Sequence, residues 1–270
     1  MHSLMKRLSL LTCVVLLVSC GGDGEDLTGQ CSAIGLTEKT GSEFAPKITS
    51  GRVCTDVNKS PVLAIIKNMP DGSSGLCTGT LITATQVLTA AHCLSGAASI
   101  DVIHGISADQ YARMRGSSWV VHPEFAQTPS GRLVNDIGVV NMVSPLSMTP
   151  IPIAANSAPK NGEKVSIAGF GLTGGNASDA GVLRIGAMVI ASVEPELIIG
   201  VSQDGNSNTC FGDSGGPLLV QQNGQAKLAG TTSYGSSSSC ALGESTAYMN
   251  LQSSKLMGFL RSTAPSAQYN

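Results

Sequence analysis

The sequence predicts an all-β protein. Short apolar runs, separated by Gly, Pro, Asn and Ser, recur with lengths and spacings that suit antiparallel strands in barrels. Only 13% of the residues are charged, and the chain holds 32 glycines. This composition favours strands and loops over long charged helices. The apolar runs lie at 62–66, 80–82, 86–89, 99–103, 138–142, 164–168, 186–191, 197–201, 217–220, 228–234 and 247–249.

One helix is expected near the C-terminus. Residues 253–261 place Leu256, Phe259 and Leu260 at helical spacing. Residues 142–162 are rich in proline and small residues, so they are expected to connect two halves of the chain. About 220 residues follow Ile48, enough for one compact unit with two cores.

The string Gly-Asp-Ser-Gly-Gly-Pro at 212–217 carries the strongest chemical signal. It places Ser214 on a tight turn, where the hydroxyl stands clear of the backbone. Flanking glycines let a substrate carbonyl approach backbone N–H groups. This arrangement suits attack on an ester or amide and binding of the resulting oxyanion.

A serine nucleophile needs a base, and histidine fits because its pKa lies near neutral pH. His2 belongs to a targeting segment, and His104 and His122 have no partner motif, so both are expected to be structural. His92 follows an apolar run and is surrounded by small residues that leave room for its ring. Asp136 opens an apolar strand, a costly place for a charge unless it is paired.

Three strings in the order His, Asp, Ser resemble the chymotrypsin/trypsin family of serine proteases. They are Thr-Ala-Ala-His-Cys at 89–93, Asn-Asp-Ile at 135–137 and the string around Ser214. Subtilisins and α/β-hydrolases use other orders. The resemblance implies a chymotrypsin-like fold of two six-stranded antiparallel β-barrels, with the protease domain at 48–270. It places the barrels at about 48–155 and 156–250, and the helix at about 252–262.

The resemblance also implies roles. His92 is the general base, Asp136 orients it, and Ser214 is the nucleophile of an acyl-enzyme mechanism. The backbone N–H groups of Gly212 and Ser214 form the oxyanion hole, and the cleft lies between the barrels. The implied activity is that of a serine endopeptidase acting on proteins or peptides without a cofactor.

Residues 1–19 are expected to be an export signal. Lys6 and Arg7 precede an apolar stretch too short to span a bilayer. Leu-Val-Ser-Cys ending at Cys20 resembles a bacterial lipobox, which implies lipidation of Cys20; an ordinary signal peptide is the alternative. Because Gly21 follows Cys20, we expect the protein at the outer membrane or cell surface. There it would either face the periplasm or be released. Residues 20–47 are expected to form a flexible lipidated tether and propeptide.

Charge excludes some partners. With Lys6 and Arg7 removed from the 16 basic residues, 14 remain against 18 acidic residues, a net charge of −4. The sequence contains no cluster of basic residues of the kind that binds nucleic acid, so no nucleic-acid partner is expected. No His or Cys set has metal-site spacing outside the expected disulfides, so no metal is predicted. We expect a monomer.

Eight cysteines indicate an oxidising compartment. Cys13 leaves with the signal and Cys20 takes lipid, so six remain and allow fifteen pairings. The family resemblance implies two of the bridges, Cys77–Cys93 and Cys210–Cys240. Cys31 and Cys54 are then left for each other, as the third expected bridge.

Activation by cleavage is also implied. Lys-Ile-Thr-Ser-Gly at 47–51 resembles the family's activation site, although Thr49-Ser50 departs from the usual Val-Gly. Cleavage after Lys47 would free the Ile48 ammonium to pair with Asp213 and order the oxyanion loop. We therefore expect a zymogen and an activating protease; an unprocessed chain is the alternative.

Substrate preference is predicted from the pocket positions that the resemblance implies. Asn208 stands at the pocket base, where trypsin-like enzymes carry aspartate, so Lys and Arg are disfavoured. Ser233, Tyr234 and Gly235 form the wall, and Thr246 narrows it. We expect small or medium uncharged P1 residues, with Glu244 near enough to modify this preference.

Two other functions compete with the enzyme. A catalytically silent homologue could serve in adhesion or binding at the cell surface, although such proteins usually lose a triad residue. A periplasmic protease of the Deg type is disfavoured because Asp213, rather than Asn, precedes Ser214, and no C-terminal peptide-binding domain follows.

Overall fold

The computed structural model describes residues 28–39, 48, 51–107, 110–156, 158–203 and 206–270. The expected signal peptide, Cys20 and Lys47 lie outside these residues. The strands are β1 Thr37–Glu38, β2 Arg52–Thr55, β3 Val62–Asn68, β4 Ser74–Thr83, β5 Gln86–Thr89, β6 Ser99–Ser107, β7 Gln110–Val121, β8 Ala126–Gln127, β9 Leu133–Val134, β10 Gly138–Met142, β11 Lys164–Gly169, β12 Arg184–Val193, β13 Leu197–Val201, β14 Pro217–Gln222, β15 Gln225–Gly235 and β16 Ser245–Asn250, followed by helix α1 Ser254–Thr263.

The first barrel closes in the strand order β10-β5-β4-β3-β6-β7. Its interior is filled by branched aliphatic side chains that alternate along the strands with residues of the outer face. Fully buried examples are Leu63, Leu81, Val87, Ile100 and Val140.

The second barrel lies within a sheet of order β1-β2-β12-β11-β14-β15-β16-β13. An additional pairing of β12 with β13 closes six of these strands into a ring, and β1 and β2 extend its edge. The barrel core includes Ile48, Val165, Met188, Ile198 and Tyr248. All strand pairs in both barrels are antiparallel, which confirms the fold prediction.

The two barrels and α1 share a third apolar cluster. Leu256, Phe259 and Leu260 of α1 are buried, as their helical spacing predicted. They belong to the cluster that also contains Leu88 of the first barrel and Leu228 of the second. This shared core fixes the position of one barrel against the other, and with it the cleft. No helix of the described residues is long and apolar enough to cross a membrane.

Strand β7 had no counterpart among the apolar runs. It is the longest strand of the first barrel, yet half of its sequence, QYARMRGSSWVV, is Gln, Arg, Ser or Gly. Its outward side chains, such as Arg113 and Arg115, bond to the buried Asp101. The barrel closes through backbone pairing with β6 and β10 despite the missing apolar pattern.

Residues 28–39 differ from the flexible tether expected there. They form a 3₁₀ turn at Cys31–Ile34 and strand β1, which pairs with β2. Cys31, Ile34 and Leu36 are buried in the shared core. The few apolar residues of this segment lie among Gly and Thr residues, so nothing in the sequence indicated that they would be buried. They nevertheless suffice to pack the segment against the core.

The three expected disulfides are present: Cys31–Cys54, Cys77–Cys93 and Cys210–Cys240. The first joins residues 28–39, called the leader below, to β2. The second joins β4 to the turn after β5, and the third joins two loops of the second barrel.

Candidate active site

His92 lies in a short 3₁₀ turn, Ala91–Cys93, directly after β5. Its neighbours Ala90 and Ala91 are fully buried, and the Cys77–Cys93 disulfide ties the turn to β4. The imidazole itself is 30% exposed. The small, buried neighbours anchor the turn, so the ring is held at the surface of the cleft.

Asp136 precedes β10 and is fully buried. Its Oδ2 lies 2.8 Å from His92 Nδ1 and accepts a 2.5 Å hydrogen bond from Ser233 Oγ. Its Oδ1 accepts the backbone N–H of His92 at 2.9 Å. With Nδ1 facing the carboxylate, the other ring nitrogen, Nε2, is left for proton transfer. The carboxylate therefore fixes both the position and the tautomer of the imidazole.

Ser214 lies in the turn that leads into β14. The glycines around it are required by the backbone: Gly212 has φ +100° and Gly215 has φ +81°. A Cβ on Gly215 would lie 2.0 Å from Thr89 Oγ1 and 2.4 Å from Thr78 O. The turn therefore fits against β4 and β5 only because glycine occupies this position.

Thr78 on β4 clamps this turn across the two barrels. Its hydroxyl donates to Gly212 O at 2.8 Å, and its N–H donates to Ser214 O at 2.8 Å. Its hydroxyl also accepts the N–H of Phe170 at 3.1 Å. Sequence reasoning missed Thr78, because nothing in its local string distinguishes it from any other strand threonine.

One cavity of about 540 Å³ is lined by several of the predicted site residues. His92 and Ser214 line it, and so do Ser233, Tyr234 and Gly235. The lining residues that the sequence did not suggest are Thr209, Phe211, Thr232, Ser237 and Ser238; Cys210 and Cys240, which the family resemblance had paired, also line it. The Cys210–Cys240 disulfide was the available signal, because it joins the two loops that enclose the cavity.

Asn208 and Thr246 lie behind the cavity wall. Both are almost fully buried. The Asn208 Oδ1 accepts hydrogen bonds from Thr246 Oγ1 at 3.0 Å and from the Thr209 N–H at 2.9 Å, and Thr209 Oγ1 lies 2.7 Å from Thr246 Oγ1. This neutral, satisfied network backs the pocket. Glu244 is not itself a lining residue, but it accepts a hydrogen bond from Ser237, which lines the cavity, and it also bonds to Ser239 and Ala241.

Asp213 is fully buried beside the nucleophile. Its two oxygens accept the N–H groups of Gly171 at 2.8 Å and Cys210 at 2.9 Å. Burial raises the pKa of its carboxyl to about 6 against the effect of these donors. Ile48 is buried in the second barrel core. In the full-length chain its nitrogen is an uncharged peptide nitrogen.

Among the described residues, one group of side chains lies close enough together to suggest a metal site. The His, Cys, Asp and Glu side chains that come close enough together to hold an ion are Cys77, His92 and Cys93. Both cysteines are in a disulfide, so neither offers a thiolate ligand.

The fold consists of two six-stranded barrels. One cleft is lined by a histidine that a carboxylate orients and by a serine that lies in a turn. This combination defines the chymotrypsin-like class of hydrolases. The family model described as Trypsin matches residues 31–256. The chain therefore belongs to the trypsin family of serine endopeptidases. The match begins at Cys31, so it includes the docked leader as well as the barrels.

Individual relatives agree with this family. A chymotrypsin from Phaedon cochleariae is 32% identical over 186 residues, which cover 61% of this chain and 65% of that protein. Brachyurin from Leptuca pugilator is 31% identical over 62% of this chain and 79% of that protein. A trypsin from Saccharopolyspora erythraea is 30% identical over 62% and 78%.

Proposed function

We propose that His92, Asp136 and Ser214 are the catalytic triad of this endopeptidase. The observation that carries the proposal is the buried Asp136 carboxylate, which holds the His92 ring on the cavity that Ser214 also lines. Ser214 Oγ attacks the scissile carbonyl as His92 Nε2 takes its proton. The imidazolium, stabilised by Asp136, then protonates the leaving amine. Water cleaves the acyl-enzyme by the same route in reverse.

The N–H groups of Gly212 and Ser214 are proposed to bind the oxyanion. The peptide that carries the Gly212 N–H has its carbonyl, Phe211 O, fixed by the Leu172 N–H at 2.9 Å. The peptide that carries the Ser214 N–H has its carbonyl, Asp213 O, fixed by the Gly216 N–H at 2.9 Å. Both donor peptides are thus held in place before substrate arrives, and each donor lowers the barrier by about 3 kcal/mol.

Labelling with a fluorophosphonate separates this enzyme from a silent homologue that binds or adheres at the cell surface. The processed chain should react at Ser214 and lose peptidase activity in proportion to the label. A folded, processed chain that takes no label would support the silent homologue instead.

We further propose a preference for small or medium uncharged P1 residues. The Asn208–Thr246–Thr209 network behind the pocket carries no negative charge that could pair with a Lys or Arg side chain. On a peptide library we expect kcat/KM for Ala, Val or Thr at P1 to exceed that for Lys or Arg by about tenfold or more. Thr246→Gly should raise kcat/KM for larger P1 side chains, with Thr231→Ser as the control. Cleavage confined to Lys or Arg peptides would refute this preference.

Activation is proposed to follow cleavage after Lys47. The new Ile48 ammonium would pair with Asp213, a carboxylate whose pKa is raised by burial in the uncleaved chain. We expect Lys47→Gln to lower peptidase activity by about 10²-fold or more after treatment with a lysine-specific endopeptidase, as for loss of one buried ion pair. Lys39→Gln is the control and should be activated normally. Full activity of uncleaved Lys47→Gln would refute a zymogen.

The leader is proposed to remain attached after that cleavage. The Cys31–Cys54 disulfide supports this, as does the burial of Ile34 and Leu36 against the barrels. With a tag placed just before Cys31, a denaturing gel of the cleaved protein should keep the tag on the main band without reductant and lose it with reductant. Cys31→Ser together with Cys54→Ser should lose the tag in both lanes. Loss of the tag from the unreduced wild type would exclude a covalent tether.

We also propose that the protein is exported, with residues 1–19 removed and Cys20 lipidated at the outer membrane or cell surface. The leader disulfide would then keep the activated protease on its anchor. Its partners would be protein or peptide substrates and an activating protease, and the catalytic unit would act as a monomer.

A further inference from the structure

Arg184 is a buried cation at the start of β12. Its side chain is 2% exposed, the bulkiest of the fully buried side chains in the described residues. Its Nη1 donates to Gly171 O at 2.9 Å. Its Nη2 donates to Asp179 O at 3.0 Å and to Asp179 Oδ2 at 3.2 Å. The guanidinium therefore closes the base of the loop that runs from 171 to 183.

Gly171 links this cation to the buried acid beside the nucleophile. Its carbonyl accepts from Arg184, and its N–H donates to Asp213 Oδ1 at 2.8 Å. Gly171 packs so closely that an added Cβ would lie 2.6 Å from Asp213 Cγ. Arg184 thus reaches the Asp213 carboxylate through a single residue.

Residues next to Gly171 also contact the peptide that carries the Gly212 N–H, one of the two proposed oxyanion donors. Leu172, next to Gly171, holds Phe211 O, and an added Cβ on Gly212 would lie 2.9 Å from Gly171 Cα. Any shift of residues 170–172 therefore moves the peptide that carries the Gly212 N–H.

The charge of Arg184 also acts on the Asp213 carboxyl. The positive charge of Arg184 opposes the rise that burial imposes on the pKa of Asp213. The Arg184 Nε is buried and has no hydrogen-bond partner among the described residues. A buried cation with an incomplete set of partners is costly, and pairing with a nearby anion offsets that cost.

We propose that Arg184 is a positioning residue that holds Gly171, Asp213 and the oxyanion peptides in their working arrangement before the chain is cleaved. The proposal rests on the proposed activation at Ile48 and deepens it. Cleavage adds a second cation that stabilises the same arrangement further, so the uncleaved chain keeps a low but measurable reactivity at Ser214.

The test compares the rate of fluorophosphonate labelling of Ser214 in uncleaved and processed protein. In the uncleaved Lys47→Gln chain, Arg184→Gln should slow labelling by about tenfold or more, as for loss of one charged hydrogen bond. In the processed chain it should slow labelling by less than about threefold, because the Ile48 ammonium supplies the charge. Arg184→Lys should recover part of the loss in the uncleaved chain.

The matched control is Arg52→Gln, on the strand paired with β12, whose side chain is exposed and forms an ion pair with Glu38. It should change neither rate, and thermal unfolding should confirm that each variant is folded. Equal slowing in both forms would overturn the proposal and leave Arg184 a purely structural role. Absence of slowing, or no labelling at all, in the uncleaved chain would also overturn it. Failure of the processed wild type to label would instead refute the proposed catalytic function.

Discussion

Ser214→Ala is expected to reduce kcat for peptide hydrolysis by about 10⁶-fold, because no other group in the triad can form the acyl-enzyme. The fold should survive the change. The turn is held by backbone contacts, including Thr78 N–H to Ser214 O and Gly215 N–H to Thr232 O, which do not involve the hydroxyl. The measurement is steady-state hydrolysis of a peptide substrate by processed protein, with thermal unfolding alongside.

Ser130→Ala is the control, since Ser130 lies in an exposed loop and its hydroxyl bonds to that of Thr128. It should retain full kcat. If Ser214→Ala retained more than about one part in 10³ of the wild-type activity, a serine-nucleophile mechanism at this position would be untenable.

Asp136→Asn is expected to lower kcat by about 10⁴-fold with KM little changed. An amide of the same shape presents an NH₂ group where the carboxylate now accepts three donors. At least one donor must then face another donor, and the His92 ring loses the tautomer that leaves Nε2 free as a base. The measurement is kcat and KM at a pH where the wild type is most active.

Asp71→Asn provides the control, because Asp71 lies in an exposed turn and bonds to Ser73. It should behave as wild type. A loss of less than about tenfold in Asp136→Asn would mean that the carboxylate does not set the tautomer, and the role given to Asp136 would be wrong.

The candidate active-site residues could be predicted because their chemistry is confined to short strings. Ser214 is flanked by glycines, His92 lies among small residues, and Asp136 stands at the start of an apolar strand. Each arrangement is unfavourable for stability alone, so each indicates a function. The structure brings His92 and Asp136 into contact and places Ser214 on the same cavity. Thr78 could not be predicted, because its role depends on the approach of one barrel to the other.

The barrels were predictable where strands bury apolar residues and were missed where they do not. Strand β7 exposes Arg113 and Arg115 and joins the barrel through its backbone. The docking of residues 28–39 depends on a disulfide and a few apolar side chains that contact residues far away in sequence. Long-range contacts of this kind leave no periodic signal in the chain.

The lining of the cavity was also only partly predictable from the sequence. Asn208 and Thr246 were placed by family resemblance at the pocket base and wall, and the structure puts them behind Thr209 in a closed network. Phe211, which is 56% exposed on the cavity, had no sequence signal. Pocket shape follows from loop packing, which a residue's identity alone does not determine.

A pre-steady-state burst tests the nucleophilic role of Ser214 most directly. Processed protein mixed with an activated ester should release about one equivalent of alcohol per active chain before the slower steady state. Mass spectrometry of the trapped intermediate should then place a single acyl group on the peptide containing Ser214. A linear time course with no acyl adduct, or an adduct on any other residue, would contradict the assignment of Ser214 as the nucleophile.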